Sequence, residues 1–131
     1  MKNYNEIKDI LKIAGKQHFW LFCLYYDYDF FTKRKFLKEI ALAFQYLYEE
    51  YKNDNAVKIS ISLPPRSGKS YITSLFCAWW LGKEPTLSVM RNTCTATLYK
   101  KFSYDVRTII RSALFSNTFS NVKLSDAKPI S

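Results

Sequence analysis

Val57-Lys58-Ile59-Ser60-Ile61-Ser62-Leu63-Pro64-Pro65-Arg66-Ser67-Gly68-Lys69-Ser70 is the stretch on which the reading of the fold turns. Val57, Ile59, Ile61 and Leu63 alternate with Lys58, Ser60 and Ser62, the period-two pattern of a strand with one buried face. Residues 64–70 then have the composition of a phosphate-binding loop. Gly68 lets the backbone come close to an anion, Lys69 neutralises the outer phosphates, and the Ser70 hydroxyl is placed to ligate a phosphate-bound Mg²⁺. A helix opening there adds its positive N-terminal end. The usual spacing asks for a glycine five residues before Gly68, where this chain has Leu63. Pro64 and Pro65 have no N–H to donate and stiffen the entry instead. Arg66 compensates, since a guanidinium inside the loop reaches phosphate oxygens bidentately. The competing reading is a proline-stiffened turn ahead of an ordinary helix.

Downstream, Ile72, Leu75, Phe76, Trp79 and Trp80 give a helix stopping at Gly82, with Pro85 just beyond. The two tryptophans are expected to pack against a sheet. Residues 86–91 read as a second short strand, and Leu98, Phe102, Val106, Ile109 and Ile110 as the stripe of a further helix. Strand, helix, strand, helix predicts an α/β fold: a P-loop NTPase-type parallel sheet with flanking helices, incomplete and preceded by an N-terminal helical segment. The division is a helical part at 1–55 and the first part of an ATPase core at 56–131. With two strands visible, open sheet edges predict marginal stability or self-association.

Upstream, Asn3 and Glu6 resemble a capping arrangement for a short helix carrying Ile7, Ile10, Leu11 and Ala14 on one face and ending at Gly15. Residues 19–26 are apolar all round and buried, with helix and strand both open. From 35 to 51 the residues Phe36, Leu37, Ile40, Ala41, Phe44, Leu47, Tyr48 and Tyr51 recur at helical spacing opposite Lys38, Glu39, Gln45, Glu49 and Glu50. Residues 52–55 are turn material, and the tail from Ser116 is polar and weakly patterned.

The chain has 131 residues, 48% hydrophobic and 18% aromatic, enough for a core and too apolar for a disordered tail. Its 20 basic and 11 acidic side chains give a formal charge of +9, which points to a polyanionic partner. From Pro85 onward Arg91, Lys100, Lys101, Arg107, Arg111, Lys123 and Lys128 face only Asp105 and Asp126. Lys100, Lys101, Arg107 and Arg111 are candidates for duplex phosphate, or else an ordinary solvated helix face. Arg91-Asn92-Thr93 closes the second strand, as a ligand-binding loop or a simple helix cap. Cys23, Cys77 and Cys94 lack metal-ligand spacing and read as reduced packing residues of an intracellular protein. The apolar run at 19–26 is too short to span a bilayer. His18 reads as structural, and no nucleophile triad or metal cluster is apparent.

Three stretches together resemble the N-terminal ATPase region of phage terminase large subunits, the motors that pump double-stranded DNA into procapsids. They are Ile61 to Ser70, Trp80-Leu81-Gly82-Lys83-Glu84-Pro85, and Phe102-Ser103 through Val106-Arg107. The likeness spans residues 19 to 124, and the Pro-Pro-Arg-x-Gly-Lys-Ser loop without its first glycine is usual for that family. It implies ATP and Mg²⁺ as cofactors, with Pro65, Arg66, Ser67, Gly68, Lys69 and Ser70 as the binding loop. Arg66 and Lys69 take the catalytic roles, Arg66 by sensing phosphate or the transition state, and Ser70 holds the metal. Phe31 and Arg34 fall where the family builds its adenine pocket, though its usual glutamine is absent there; Gln45, deeper in the helix, reads as a solvated face residue. The implied partners are double-stranded DNA, a small terminase subunit and a portal protein, in an oligomeric motor in the host cytoplasm. No strand ending in Asp-Glu and no nuclease cluster occurs, so the chain reads as a fragment or natural truncation of an ATPase, without hydrolytic competence of its own. Two alternatives stand beside this: a non-catalytic basic α/β module that binds nucleic acid or protein, and part of another P-loop DNA-dependent ATPase. A helicase fits the loop but not the Trp-Leu-Gly-Lys-x-Pro context.

Overall fold

A computed structural model describes residues 4–64, 67–84 and 96–119, with side chains from Glu6 onward and, in the last segment, from Lys100. Seven helices account for its regular structure: α1 (Tyr4–Gly15), α2 (Phe19–Tyr26), α3 (Tyr28–Thr32), α4 (Leu37–Lys52), α5 (Lys69–Lys83), α6 (Ala96–Arg111) and α7 (Ala113–Thr118). The expected parallel-sheet α/β architecture is therefore corrected. No strand occurs among the described residues, and the described part of the chain is helical.

The reason lies in what a strand requires. Residues 57–63 keep the predicted alternation: Val57, Ile59, Ile61 and Leu63 are half-buried while Lys58, Ser60 and Ser62 are exposed. Ile61 and Leu63 pack on the core. The stretch nevertheless has no neighbouring strand among the described residues, and without a ladder to fill, alternation makes a lining segment and not a sheet. The second expected strand, 86–91, lies outside the described residues, as do Arg91-Asn92-Thr93 and Cys94.

α2 is the hub. Its sequence is apolar on every side because neighbours surround it, with α1, α3, α4, α5 and α7 all packed against it. Phe19, Phe22 and Cys23 are fully buried. The Phe19 ring meets Phe44 of α4 and both Phe76 and Trp79 of α5, with centroids 5.2–6.1 Å apart. On the other side Phe22 meets Phe115 and Phe119 at the α7 end. Gly15 lets α1 end against α2, since a Cβ there would stand 2.9 Å from the Phe22 Cα. The same residue's carbonyl accepts a buried hydrogen bond of 2.8 Å from Trp79 Nε1.

α4 and α5 run parallel. The start of α4 meets the start of α5, where Leu37 abuts Gly68. Phe44 stacks on Phe76 with centroids 4.5 Å apart and an interplanar angle of 3°. Farther along, Tyr48 meets both tryptophans and Tyr51 meets Trp80. The expectation that Trp79 and Trp80 pack on a sheet is thus replaced by packing on α4. Two parallel helices in sequence force the linker to return along the full length of α4, about 24 Å for 16 residues. Residues 55–64 are that return path.

Candidate functional site

The first turn of α5 is shaped directly by the loop sequence. Gly68 precedes the helix at φ +97°, ψ 5°, a left-handed conformation that L side chains rarely adopt. Its missing Cβ also makes room, for one would stand 2.9 Å from Phe30 Cζ and 3.2 Å from Leu37 Cδ1. The helical ladder begins with Ile72 N donating to the Gly68 carbonyl at 3.0 Å, so the N–H groups of the preceding residues have no partner within the helix. Lys69 and Ser70 are exposed on this turn. The Ser67 hydroxyl oxygen just ahead is shielded from solvent and has no hydrogen-bond partner.

A cleft of about 570 Å³ opens at this point, lined by Pro64, Gly68, Lys69, Ser70 and Ser74 on one side and by Lys101, Asp105 and Thr108 of α6 on the other. Tyr26, Phe30, Tyr71 and Tyr104 supply aromatic walls. That volume suits a small organic ligand such as a nucleotide. Tyr71 is fixed from behind, its hydroxyl donating to Asp27 Oδ2 at 2.9 Å. Burial, then that hydrogen bond and the Asp27 charge, hold its phenol well above the ordinary tyrosine range.

The structure thus brings Gly68, Lys69 and Ser70 to one cleft and adds Lys101, which the sequence grouped with the DNA-facing cations. Pro65 and Arg66 lie outside the described residues. Phe31 is not in the cleft: it is fully buried, stacked on Tyr71 at 5.7 Å and 22° and set edge-on to Trp20 and Phe30. A ring so enclosed presents no face to a base. Arg34 stacks its guanidinium 4.0 Å from the Phe30 centroid and donates Nη1 to the Phe30 carbonyl at 3.3 Å, one ring removed from the cleft. Lys101, Asp105 and Thr108 stand at i, i+4 and i+7 on α6, a spacing legible in the sequence once their side of the helix is known to face the loop. Lys100, Arg107 and Arg111 lie at i, i+7 and i+11, in a row beside the buried stripe of Val106, Ile109 and Ile110. Lys100 and Arg111 are exposed, and Arg107 donates to Ser103 Oγ at 2.8 Å.

The donor set fits Mg·ATP. Two lysines and the Ser70 hydroxyl on one cleft match the charge of a polyphosphate and the oxygen a phosphate-bound magnesium takes. No group of three His, Cys, Asp or Glu side chains that would hold a metal by itself occurs among the described residues. Magnesium carried by phosphate needs no such group, because it keeps several waters and takes one or two protein oxygens. No protein-family model, curated protein or solved structure matches this chain. No helix among the described residues is long and apolar enough to cross a membrane.

Proposed function

We propose that this chain is an ATP-binding part of a DNA-packaging motor of the phage terminase large-subunit type, working in the host cytoplasm, with the nucleotide's phosphates at the start of α5. The observation that carries the reading is the convergence of left-handed Gly68, Lys69 and Ser70 on one cleft of nucleotide size. Lys69 neutralises the outer phosphates, the α5 N-terminus adds its N–H groups, and Ser70 offers its hydroxyl to the magnesium. Arg66 senses the phosphate or the developing charge. When bound, Mg·ATP supplies the energy-yielding bond; this chain's residues bind and orient it. Hydrolysis requires a carboxylate to position water, and the sequence has no Asp-Glu pair for that task. Lys100, Arg107 and Arg111 contact duplex phosphates on the far side of α6, so that one helix borders both ligands. Small terminase subunit, portal and further copies of the chain complete the motor.

Calorimetric titration with Mg·ATP tests this. Wild-type protein gives a binding isotherm and Lys69→Ala weakens it at least about tenfold, the value of a charge-assisted hydrogen bond. A flat titration for the wild type refutes it. The formal charge of +9 supports a second reading, a basic module that binds nucleic acid without a nucleotide. Under it, DNA binding persists while Mg·ATP gives no heat.

A further inference from the structure

We infer that α6 supplies the other half of the phosphate site, with Lys101 as a second phosphate contact and Asp105 as a carboxylate ligand to the phosphate-bound Mg²⁺. The inference rests on the reading of the cleft as a nucleotide site and goes beyond it in assigning two residues that the loop motif does not contain.

Lys101 and Asp105 sit one helical turn apart on the same side of α6, and both line the cleft that Lys69 and Ser70 line from α5. α5 and α6 pack directly on one another, so the two pairs border one cleft. The charges decide what fits. Lys69 and Lys101 make the cleft cationic, whereas Asp105 would repel an uncomplexed polyphosphate. A divalent ion removes that conflict by bridging the carboxylate and the phosphate oxygens, with the Ser70 hydroxyl as a further oxygen ligand. The site therefore selects metal-complexed phosphate over the free anion. Lysine suits its place, since a flexible point charge tracks a phosphate whose exact seat is set from α5. The sequence has no adjacent Asp-Glu, and Asp105 gives magnesium a protein carboxylate without one.

The test uses the full chain and ATP as probe, titrated with excess Mg²⁺ and again with EDTA. Lys101→Ala weakens Mg·ATP binding about tenfold, and Lys101→Arg restores most of it. Lys16→Ala, the same loss of charge beside Lys83 at the opposite end of α5, leaves affinity unchanged. Asp105→Asn narrows the ratio between affinities with and without Mg²⁺, chiefly by tightening the metal-free complex. Circular dichroism and thermal melting verify that each variant is folded, and Lys101→Met replaces the alanine if that variant is not. A Lys101 variant that binds normally while Lys69→Ala does not, or an unchanged Mg²⁺ ratio in Asp105→Asn, overturns this inference and leaves the nucleotide reading intact. Absence of binding by the wild type overturns both.

Discussion

At Gly68 the backbone and the packing make the same demand. A side chain there must tolerate φ +97° and must also displace the Phe30 ring, on which the Arg34 guanidinium stacks. Gly68→Ala is expected to cost about 1–2 kcal/mol from the left-handed conformation alone, read as a lowered urea midpoint, and to weaken Mg·ATP binding by moving the first turn of α5. A separate residue sets the alkaline limit of stability. Tyr71 keeps its proton in the folded state above pH 10, where an unfolded tyrosine loses it, because burial and then the Asp27 carboxylate oppose ionisation. Above about pH 10 the folded chain binds more protons than the unfolded one, so this contribution is complete below that pH and is lost as pH rises beyond it. Tyr71→Phe removes the hydroxyl and leaves Asp27 Oδ2 without this donor. It should lower stability by about 1 kcal/mol near neutrality and flatten the decline above pH 10 in denaturant titrations. An equally steep alkaline limb in the variant would assign that decline to Tyr26, Tyr48 or Cys23, whose ionisations burial also opposes.

Among the elements, α2 depends on a residue that lies outside it. His18, at its N-cap, makes no side-chain capping bond; instead Gln45 of α4 accepts from Phe19 N at 2.8 Å through Oε1 and donates from Nε2 to the Gln17 carbonyl and to Glu49. Its pattern position, among polar residues opposite an apolar stripe, predicts a solvated face residue, and the structure corrects this to a cap supplied from a neighbouring helix. Gln45→Ala should destabilise the fold by about 1 kcal/mol, as loss of an N-cap does, whereas Glu39→Ala on the exposed face of α4 should change the midpoint little. Element by element, the sequence is readable where one helix carries its own signal. α4, α5 and α6 fall close to their predicted spans because each has a continuous stripe. α2 stays ambiguous because a hub is apolar on every side and has no period to read. Residues 57–63 show the limit most clearly: alternation reports that one face is covered, and a sheet and a lining segment both satisfy it. α1 errs in the opposite sense, for Ile7 and Ile10 of its apolar face are 42% and 49% exposed.

For the molecule as a whole, charge and core are separated by the way α6 is seated. Val106, Ile109 and Ile110 face inward and Lys101 faces the cleft, which leaves Lys100, Arg107 and Arg111 as an outward row in a chain of formal charge +9. The sequence named all four cations but could not divide them, because the division depends on where α5 lies. Likewise the Gly68-Lys69-Ser70 turn stood out in the sequence while the aromatic walls of the cleft beside it did not, since Tyr26, Phe30, Tyr71 and Tyr104 come from three helices and the short α3. Each of the three outward side chains that meets a duplex phosphate releases about 0.9 of a condensed counterion, so Lys100→Ala, Arg107→Ala and Arg111→Ala together should lower the slope of log affinity against log salt by about 2.7. Arg107 gives up a half-buried hydrogen bond to Ser103 on the way, which costs about 1 kcal/mol of stability. Lys101→Ala, in contrast, should leave that slope unchanged in the absence of nucleotide. Fluorescence anisotropy of a labelled duplex, measured across a salt series, gives both numbers. A slope insensitive to the triple substitution would mean that the row is only a solvated helix face and that any DNA contact lies elsewhere on the chain.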